Sequence, residues 1–340
     1  MTDPAPRLRT PREQTQMLPI PRAANPSALI ALAITAAAAA AAPPSVHAQE
    51  SSTMQTAPAA PPAPARSGHV QANGVRYYYE VHGQGEPLLL LHGGLGSIDM
   101  FGPVLPMLAR SRQVIAVDLH GHGRTELGDR EISMVDMGDD LAVLLKELGY
   151  EQVDVAGYSM GGGVAFRLAA QHPERVRRLA IVSAGYSRDG FYAEMLPMQA
   201  QVGAAMAEMM KETPMYQSYA AVAPRPEDFP RLLDRMGELM RTPYDWSADV
   251  PRLTMPVMLV FGDGDMYRPE HVVRFYQLLG GGQRDAGWQR ENMPKNRLAI
   301  LPDLTHYEMF ESPAVAATIL PFLDGKSGAG SQAGQVAAEN

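Results

Sequence analysis

Cysteine is absent from the 340 residues. That removes a disulfide framework, a thiolate nucleophile and a cysteine-borne lipid anchor from consideration. Basic runs are missing from the core as well, and 29 Lys and Arg against 37 Asp and Glu leave a formal charge of −8. Such a balance argues against nucleic acid as a partner. The nine histidines are scattered. His120 and His122 make the one close pair, and their place beside Gly121 and Gly123 reads as a loop after a strand rather than a metal site. Neither a metal nor a cofactor is expected.

The longest apolar stretch, Ser27 to Ala42, falls short of the ~20 residues a comfortable membrane span needs. Arg7, Arg9, Arg12 and Arg22 precede it without an Arg-Arg pair, so a twin-arginine route lacks support. Pro43-Pro44 and then Val46-His47-Ala48, a small-x-small pattern, follow it. Together these read as a secretory signal peptide over residues 1–48, cut after Ala48, with Met17 as an alternative start. Residues 49–66 are rich in Pro, Ala and Ser and read as a linker; residues 325–340, rich in Gly, Ala, Ser and Gln, read as a disordered tail. The expectation is a periplasmic or secreted protein with no stable membrane insertion after cleavage. Its folded domain covers 67–324, and its oligomeric state is left open.

Hydrophobic content of 46% is enough for a substantial core. Within it, apolar β-like runs alternate with helical spacing: Leu88 to Leu91, then Gln113 to Val117, then Leu141, Leu144, Leu145 and Leu148 at helical intervals, then Val153 to Ala156. Asn73-Gly74 between two β-like runs marks a hairpin. This alternation predicts the α/β class, a mostly parallel central sheet with helices on both faces. Between Ser183 and Pro256 no strand is evident. That segment carries Met195, Met198, Met206, Met209, Met210, Met215, Met236 and Met240, with prolines that break it into short helices. It reads as a helical cap over about 186–250, whose methionines either shape an apolar pocket or pack the cap onto the core.

The most informative motif is Gly157-Tyr158-Ser159-Met160-Gly161, between the apolar run Val153 to Ala156 and the Ala-rich helix that follows. Strand, tight turn and helix push one serine hydroxyl out above the sheet, and the helix aims its first N–H groups at charge forming beside it. A structural serine in a Gly-rich turn is the plainer alternative. A nucleophilic serine needs a base and an acid. His306 follows the β-like run Leu298 to Leu301 and the loop Pro302 to Thr305. Gly262-Asp263-Gly264-Asp265 follows the run Pro256 to Phe261. Asp265 is favoured as the acid because it lies further past the strand end; Asp263 reads as a turn residue, and Asp303 shares a loop with the histidine. All three candidates, Ser159, Asp265 and His306, fall at the C-terminal ends of strands, where open α/β sheets place their sites.

Two backbone N–H groups are needed for a developing oxyanion. Met160, next to the nucleophile, supplies one. The Gly-rich turn after Leu91, His92-Gly93-Gly94-Leu95-Gly96, supplies the other, with Gly94 as donor and Leu95 behind it. His92 reads as structural, hydrogen-bonded to its loop. Leu95, Tyr158, Met206 and Met210 are the side chains expected to touch substrate.

The set His92-Gly93-Gly94, Asp118-Leu119-His120-Gly121-His122-Gly123, Gly157-Tyr158-Ser159-Met160-Gly161, Gly262-Asp263-Gly264-Asp265 and His306 resembles the α/β-hydrolase superfamily. The likeness is to its single-domain esterase, lactonase and C–C hydrolase branch with a helical cap, over roughly residues 68–324. His120 stands where many relatives carry Arg, and Asp-Leu-Thr precedes His306 in place of a small Gly-rich loop. The resemblance implies a Ser159–Asp265–His306 triad with Met160 and Gly94 as the oxyanion hole. It implies a serine esterase acting on a small-molecule ester of apolar character. Lactonase, amidase, C–C hydrolase and perhydrolase chemistry share that triad, and a non-catalytic binding module is the reading from a different class.

Overall fold

A computed structural model describes residues 63–326. The expected signal peptide and cleavage site, the expected linker up to residue 62 and the expected tail from residue 327 lie outside the described residues. The strand β1 (Arg66–Ala72) already begins at the last linker residue of the sequence reading. It is followed by β2 (Val75–His82), β3 (Glu86–Leu91), α1 (Val104–Ala109), β4 (Arg112–Asp118) and α2 (Met134–Glu147). Then come β5 (Val153–Tyr158), α3 (Met160–Gln171) and β6 (Val176–Val182). The segment after β6 carries α4 (Met195–Ala200), α5 (Ala207–Met210), α6 (Pro214–Val222) and α7 (Phe229–Arg241). The chain closes with β7 (Val257–Gly264), α8 (Pro269–Leu278), β8 (Arg297–Thr305) and α9 (Pro313–Leu323).

The eight strands form one sheet in the order β1-β2-β4-β3-β5-β6-β7-β8. β2 is antiparallel to both β1 and β4, and the remaining pairs are parallel. Asn73 and Gly74 link β1 to β2 with φ of 45° and 89°, the two left-handed residues that a tight hairpin turn requires. This is the mostly parallel α/β sheet with helices on both faces that the alternation predicts.

The apolar runs follow from burial on both faces. In β3, Leu88 and Leu90 pack with α1 and α9, while Leu89 and Leu91 pack with α2 and α3. β4, β5, β6 and β7 split the same way, so neither face tolerates polar alternation. α7 lies over the loops after β3 and β4, with Met236 at Gly94 and Leu232 at Gly121, and its Phe229, Leu232, Leu233 and Met236 form one buried stripe at helical spacing. Each such side chain fully buried is worth about 1.5–3 kcal/mol.

At the N-terminal ends of the strands, away from the serine turn, Arg112 is almost wholly buried. Its guanidinium bonds Asp154 (2.5 Å) and Asp324 at the end of α9 (2.7 Å), and Asp154 is also held by Arg177 (2.8 and 2.9 Å). Removing one partner of a buried ion network leaves a charge uncompensated. Arg112→Met should therefore cost about 3 kcal/mol, the low end for such a loss because Arg177 still pairs Asp154. Urea unfolding checks it; an unchanged midpoint at constant slope would mean the network contributes nothing.

Candidate active site

Ser159 stands between β5 and α3 with φ 53° and ψ −120°, a strained conformation for a residue with a side chain. Crowding forces it. A Cβ at Gly157 would strike the Gly161 carbonyl, and one at Gly161 would strike the carbonyls of Leu91 and His92. The Ser159 N–H is tied to Val182 O at the end of β6 (2.9 Å), and its carbonyl accepts the first helical bond from Gly163 (3.1 Å).

The three residues singled out at strand ends converge. His306 Nε2 lies 3.1 Å from Ser159 Oγ, and its Nδ1 lies 3.0 Å from Asp265 Oδ1. Nδ1 faces a carboxylate and so carries the proton, leaving Nε2 as acceptor for the serine hydroxyl. Both His306 and Asp265 are buried. Asp265 also accepts the Ser183 hydroxyl (2.5 Å), the Met266 N–H (2.8 Å) and, more loosely, the Gly262 N–H (3.4 Å). Asp263, by contrast, is exposed, and it lies within β7 rather than in a turn. Asp303 is exposed too, in the left-handed region at φ 59°.

β8 runs on through Pro302 to Thr305, where the sequence reading has a loop. It is an edge strand, where a residue without an N–H is tolerated, and its pairing with β7 is irregular between Gly262 and Gly264. That irregularity turns the strand end so that His306 faces the serine. A capping box, Thr305 N–H and hydroxyl on the Glu308 carboxylate (2.9 and 2.7 Å), fixes the turn His306–Glu308 that follows.

Met160 is the first residue of α3, where an N–H has no partner within the helix. Gly94 lies beside it. A Cβ added at Gly94 would come 4.0 Å from Met160 Cβ and 2.7 Å from the Met236 methyl. Leu95, at φ 58°, packs half-buried on the same apolar cluster as Met236. His92 holds this loop: Leu119 N–H donates to its Nε2 (2.9 Å), so Nδ1 carries the proton that goes to Gly93 O (2.7 Å).

The other three side chains expected to touch substrate take the following places. Tyr158 points into the α1 and α9 layer, because the alternation along β5 sends it there. Its hydroxyl donates to the His306 carbonyl (2.8 Å), and its ring lies against those of His306 and Phe310. It supports the histidine rather than facing the cap. Met206 and Met210 sit half-buried in the turn 204–206 and α5, which pack against α7. The cap methionine that reaches Gly94 is Met236, fully buried on α7. Met198, Met209 and Met215 are exposed. The role of Ser183 has no signal in the sequence: a lone serine closing a β run carries no pattern of its own.

Among the described residues no group of three or more His, Asp or Glu side chains converges as a metal-ligand set, and no helix is long and apolar enough to cross a membrane. His120 and His122 sit in the loop after β4, on Leu127 O (2.7 Å) and His120 O (2.8 Å).

Comparison with known proteins follows the same lines. Residues 86–213 match the family described as the alpha/beta hydrolase fold. The RutD protein of Azorhizobium caulinodans, provisionally named a carbamate hydrolase, is 41% identical over 116 residues, 34% of this chain and 43% of that one. The 2-hydroxymuconate semialdehyde hydrolase of a Pseudomonas species is 41% identical over 121 residues, again 34% and 43%. Both alignments thus span less than half of the relative. A thermophilic esterase from Thermogutta terrifontis superposes with a TM-score of 0.60 at 22% identity, over 77% of this chain and 99% of that one, a likeness of fold.

Burial holds four histidines neutral: His92 and His120 below the usual histidine value, His122 down to about 3 and His271 to about 4. Unfolding restores their ordinary value near 6.5. Below that value the unfolded chain binds protons the folded chain refuses, so stability falls as pH falls, by up to about 1.4 kcal/mol per pH unit for each of His122 and His271, with His92 and His120 adding in the same direction. Urea midpoints at pH 7.5, 6.5 and 5.5, above the carboxylate range, should descend in that order. A flat profile would mean these rings charge in the native state.

Proposed function

We propose that this chain, which belongs to the α/β-hydrolase superfamily, is a serine hydrolase that cleaves carboxylic esters of small to medium apolar substrates through an acyl-enzyme. The observation that carries the reading is the unbroken run of contacts from Ser159 Oγ to His306 Nε2 and from His306 Nδ1 to Asp265. In the proposed reaction, Ser159 Oγ attacks the ester carbonyl carbon while His306 Nε2 takes the hydroxyl proton. Negative charge on the former carbonyl oxygen is held by the N–H groups of Met160 and Gly94. Asp265 stabilises the imidazolium so formed. The C–O bond then breaks, and the leaving alcohol takes the proton from His306. Water next attacks the acyl carbon, giving its proton to His306; collapse releases the acid and returns the proton to Ser159.

The preference for apolar esters rests on what surrounds Gly94: Met236, Met160 and Leu95 present thioether and aliphatic surface, with no ionic group among them. A flexible thioether adapts to varied acyl chains. The export expected from the leader remains part of this proposal.

Ser159→Ala should lower kcat/KM for a short-chain aryl ester by about 10⁴-fold or more and abolish fluorophosphonate labelling, with thermal unfolding little changed. A variant that kept a tenth of the activity would remove Ser159 from the mechanism. Substrate choice gives a separate check. Each buried methylene is worth about 0.8 kcal/mol, so kcat/KM should rise about fourfold per acyl carbon until the pocket fills. Met236→Ala should move that optimum toward longer chains, whereas Met206→Ala should leave it in place. If the optimum follows Met206 and ignores Met236, the acyl chain lies elsewhere under the cap.

A further inference from the structure

The Asp265 carboxylate is held by groups that adjoin the base of the cap. Its Oδ2 accepts the hydroxyl of Ser183, the residue at which the chain leaves β6 for the cap. Its Oδ1, the oxygen facing His306, also accepts the Met266 N–H (2.8 Å). The carbonyl of Met266 in turn accepts the N–H of Tyr192 (3.2 Å), in the leading segment of the cap. Next to that bond, Phe191 and Tyr267 pair in antiparallel fashion with their rings stacked at 4.5 Å. The Arg268 N–H donates to Gly190 O (2.9 Å), and its guanidinium to Asp189 O (2.6 Å).

The leading segment is bound to the trailing one as well. Arg188 N–H donates to Tyr244 O (3.0 Å) and Trp246 N–H to Tyr186 O (2.8 Å). His271 closes the stack from α8, its ring 4.2 Å from Tyr186 and 5.8 Å from Tyr267. The acid loop is therefore sewn to the leading end of the cap by backbone bonds and a column of rings, and through that end to the trailing one. Displacing the cap base must break those bonds or shift the backbone at Met266, whose carbonyl accepts from the cap and whose N–H, in the preceding peptide unit, donates to the oxygen that faces the histidine.

We infer that the base of the cap positions the catalytic acid: residues 189–192, paired to 266–268, hold the Asp265 carboxylate against His306, with Phe191 and Arg268 as positioning residues. This rests on the triad reading above. It makes the cap more than a wall of the pocket. Seating the cap and aligning the acid become one structural event, so substitutions at the cap base reach kcat without touching substrate.

The test uses the full chain on a short aryl ester. Phe191→Ala should lower kcat about tenfold with KM changed less than about twofold, while Phe191→Tyr, which keeps the stacked ring, should restore it. The acid limb of the kcat/KM profile should move to lower pH in Phe191→Ala, because a carboxylate drawn away from the imidazole stabilises its protonated form less. Besides the Ser159 hydroxyl, the groups facing His306 are the Asp265 carboxyl and the rings of Tyr158 and Tyr307. In an Asp265→Asn background the same Phe191→Ala change should cost nothing further in kcat, since the two act as a unit. Arg268→Ala, at an exposed side chain, carries the same comparison with a smaller loss should Phe191→Ala fail to fold. Losses that multiply in the double variant, or a rise in KM alone with the acid limb unmoved, would overturn the inference while leaving the triad intact. A normal rate for Asp265→Asn alone would instead sink the triad reading, a result distinguishable because it needs no change at the cap.

Discussion

One close approach organises the site: the backbone of Gly161 lies against the carbonyls of Leu91 and His92, with no space for a Cβ between them. It sets the start of α3 directly on the loop after β3, and so puts Met160 beside Gly94. It also leaves Ser159 no choice of backbone angle. Once the serine is turned out, its N–H reaches Val182 at the end of β6, and Ser183 follows at once with its hydroxyl on Asp265. Asp265 meets His306, and His306 meets Ser159. The site is a closed ring of contacts, and the tight contact at Gly161 is where that ring is fastened to the sheet. A side chain there would part α3 from β3 and separate the two expected oxyanion donors before it disturbed anything else.

The parity of β5 has a second consequence. Because Ala156 and Tyr158 face the α1 and α9 layer, Tyr158 passes beneath the sheet edge of the site and meets the His306 carbonyl from below. Burial raises its phenol far above the ordinary value, so the hydroxyl stays a donor at any working pH. A residue inside the serine-turn motif thus supports His306 through the backbone, while Met160 of the same motif packs in the cluster that holds Met236.

What was legible in the sequence follows from where physics constrains residue type tightly. Glycines at 157 and 161 answer to backbone contacts, and apolar runs answer to a sheet covered on both faces, so β3, β5, the serine turn and the order of Ser159, Asp265 and His306 could be read directly. Side-chain direction could not. Met236 is told from Met206 and Met210 by the helix that carries it and by its phase on α7, which needs the helix boundaries and their packing partners. Pro302 and Asp303 look like loop punctuation, yet an irregular edge strand accommodates both. Tyr158 was misplaced for want of the strand parity, and Ser183 was invisible because its role depends on an aspartate 82 positions away.

The same physics separates strain from stability along the sheet. Leu95, Ser159, Ser183 and Asp303 adopt positive φ, and all four lie at the C-terminal ends of β3, β5, β6 and β8, around the site. Each such residue costs on the order of 1–3 kcal/mol and persists only where its surroundings leave no alternative. The opposite ends of the strands carry the buried pairing of Arg112, Asp154, Arg177 and Asp324. Between the two lie the apolar faces that hold every strand in register. Rigidity supplied by the middle and the lower ends lets the upper ends keep conformations they would not adopt alone. Two of these residues, Ser159 and Ser183, aim hydroxyls at His306 and Asp265, so relaxing either to an ordinary angle would lower the local energy and scatter groups that now meet.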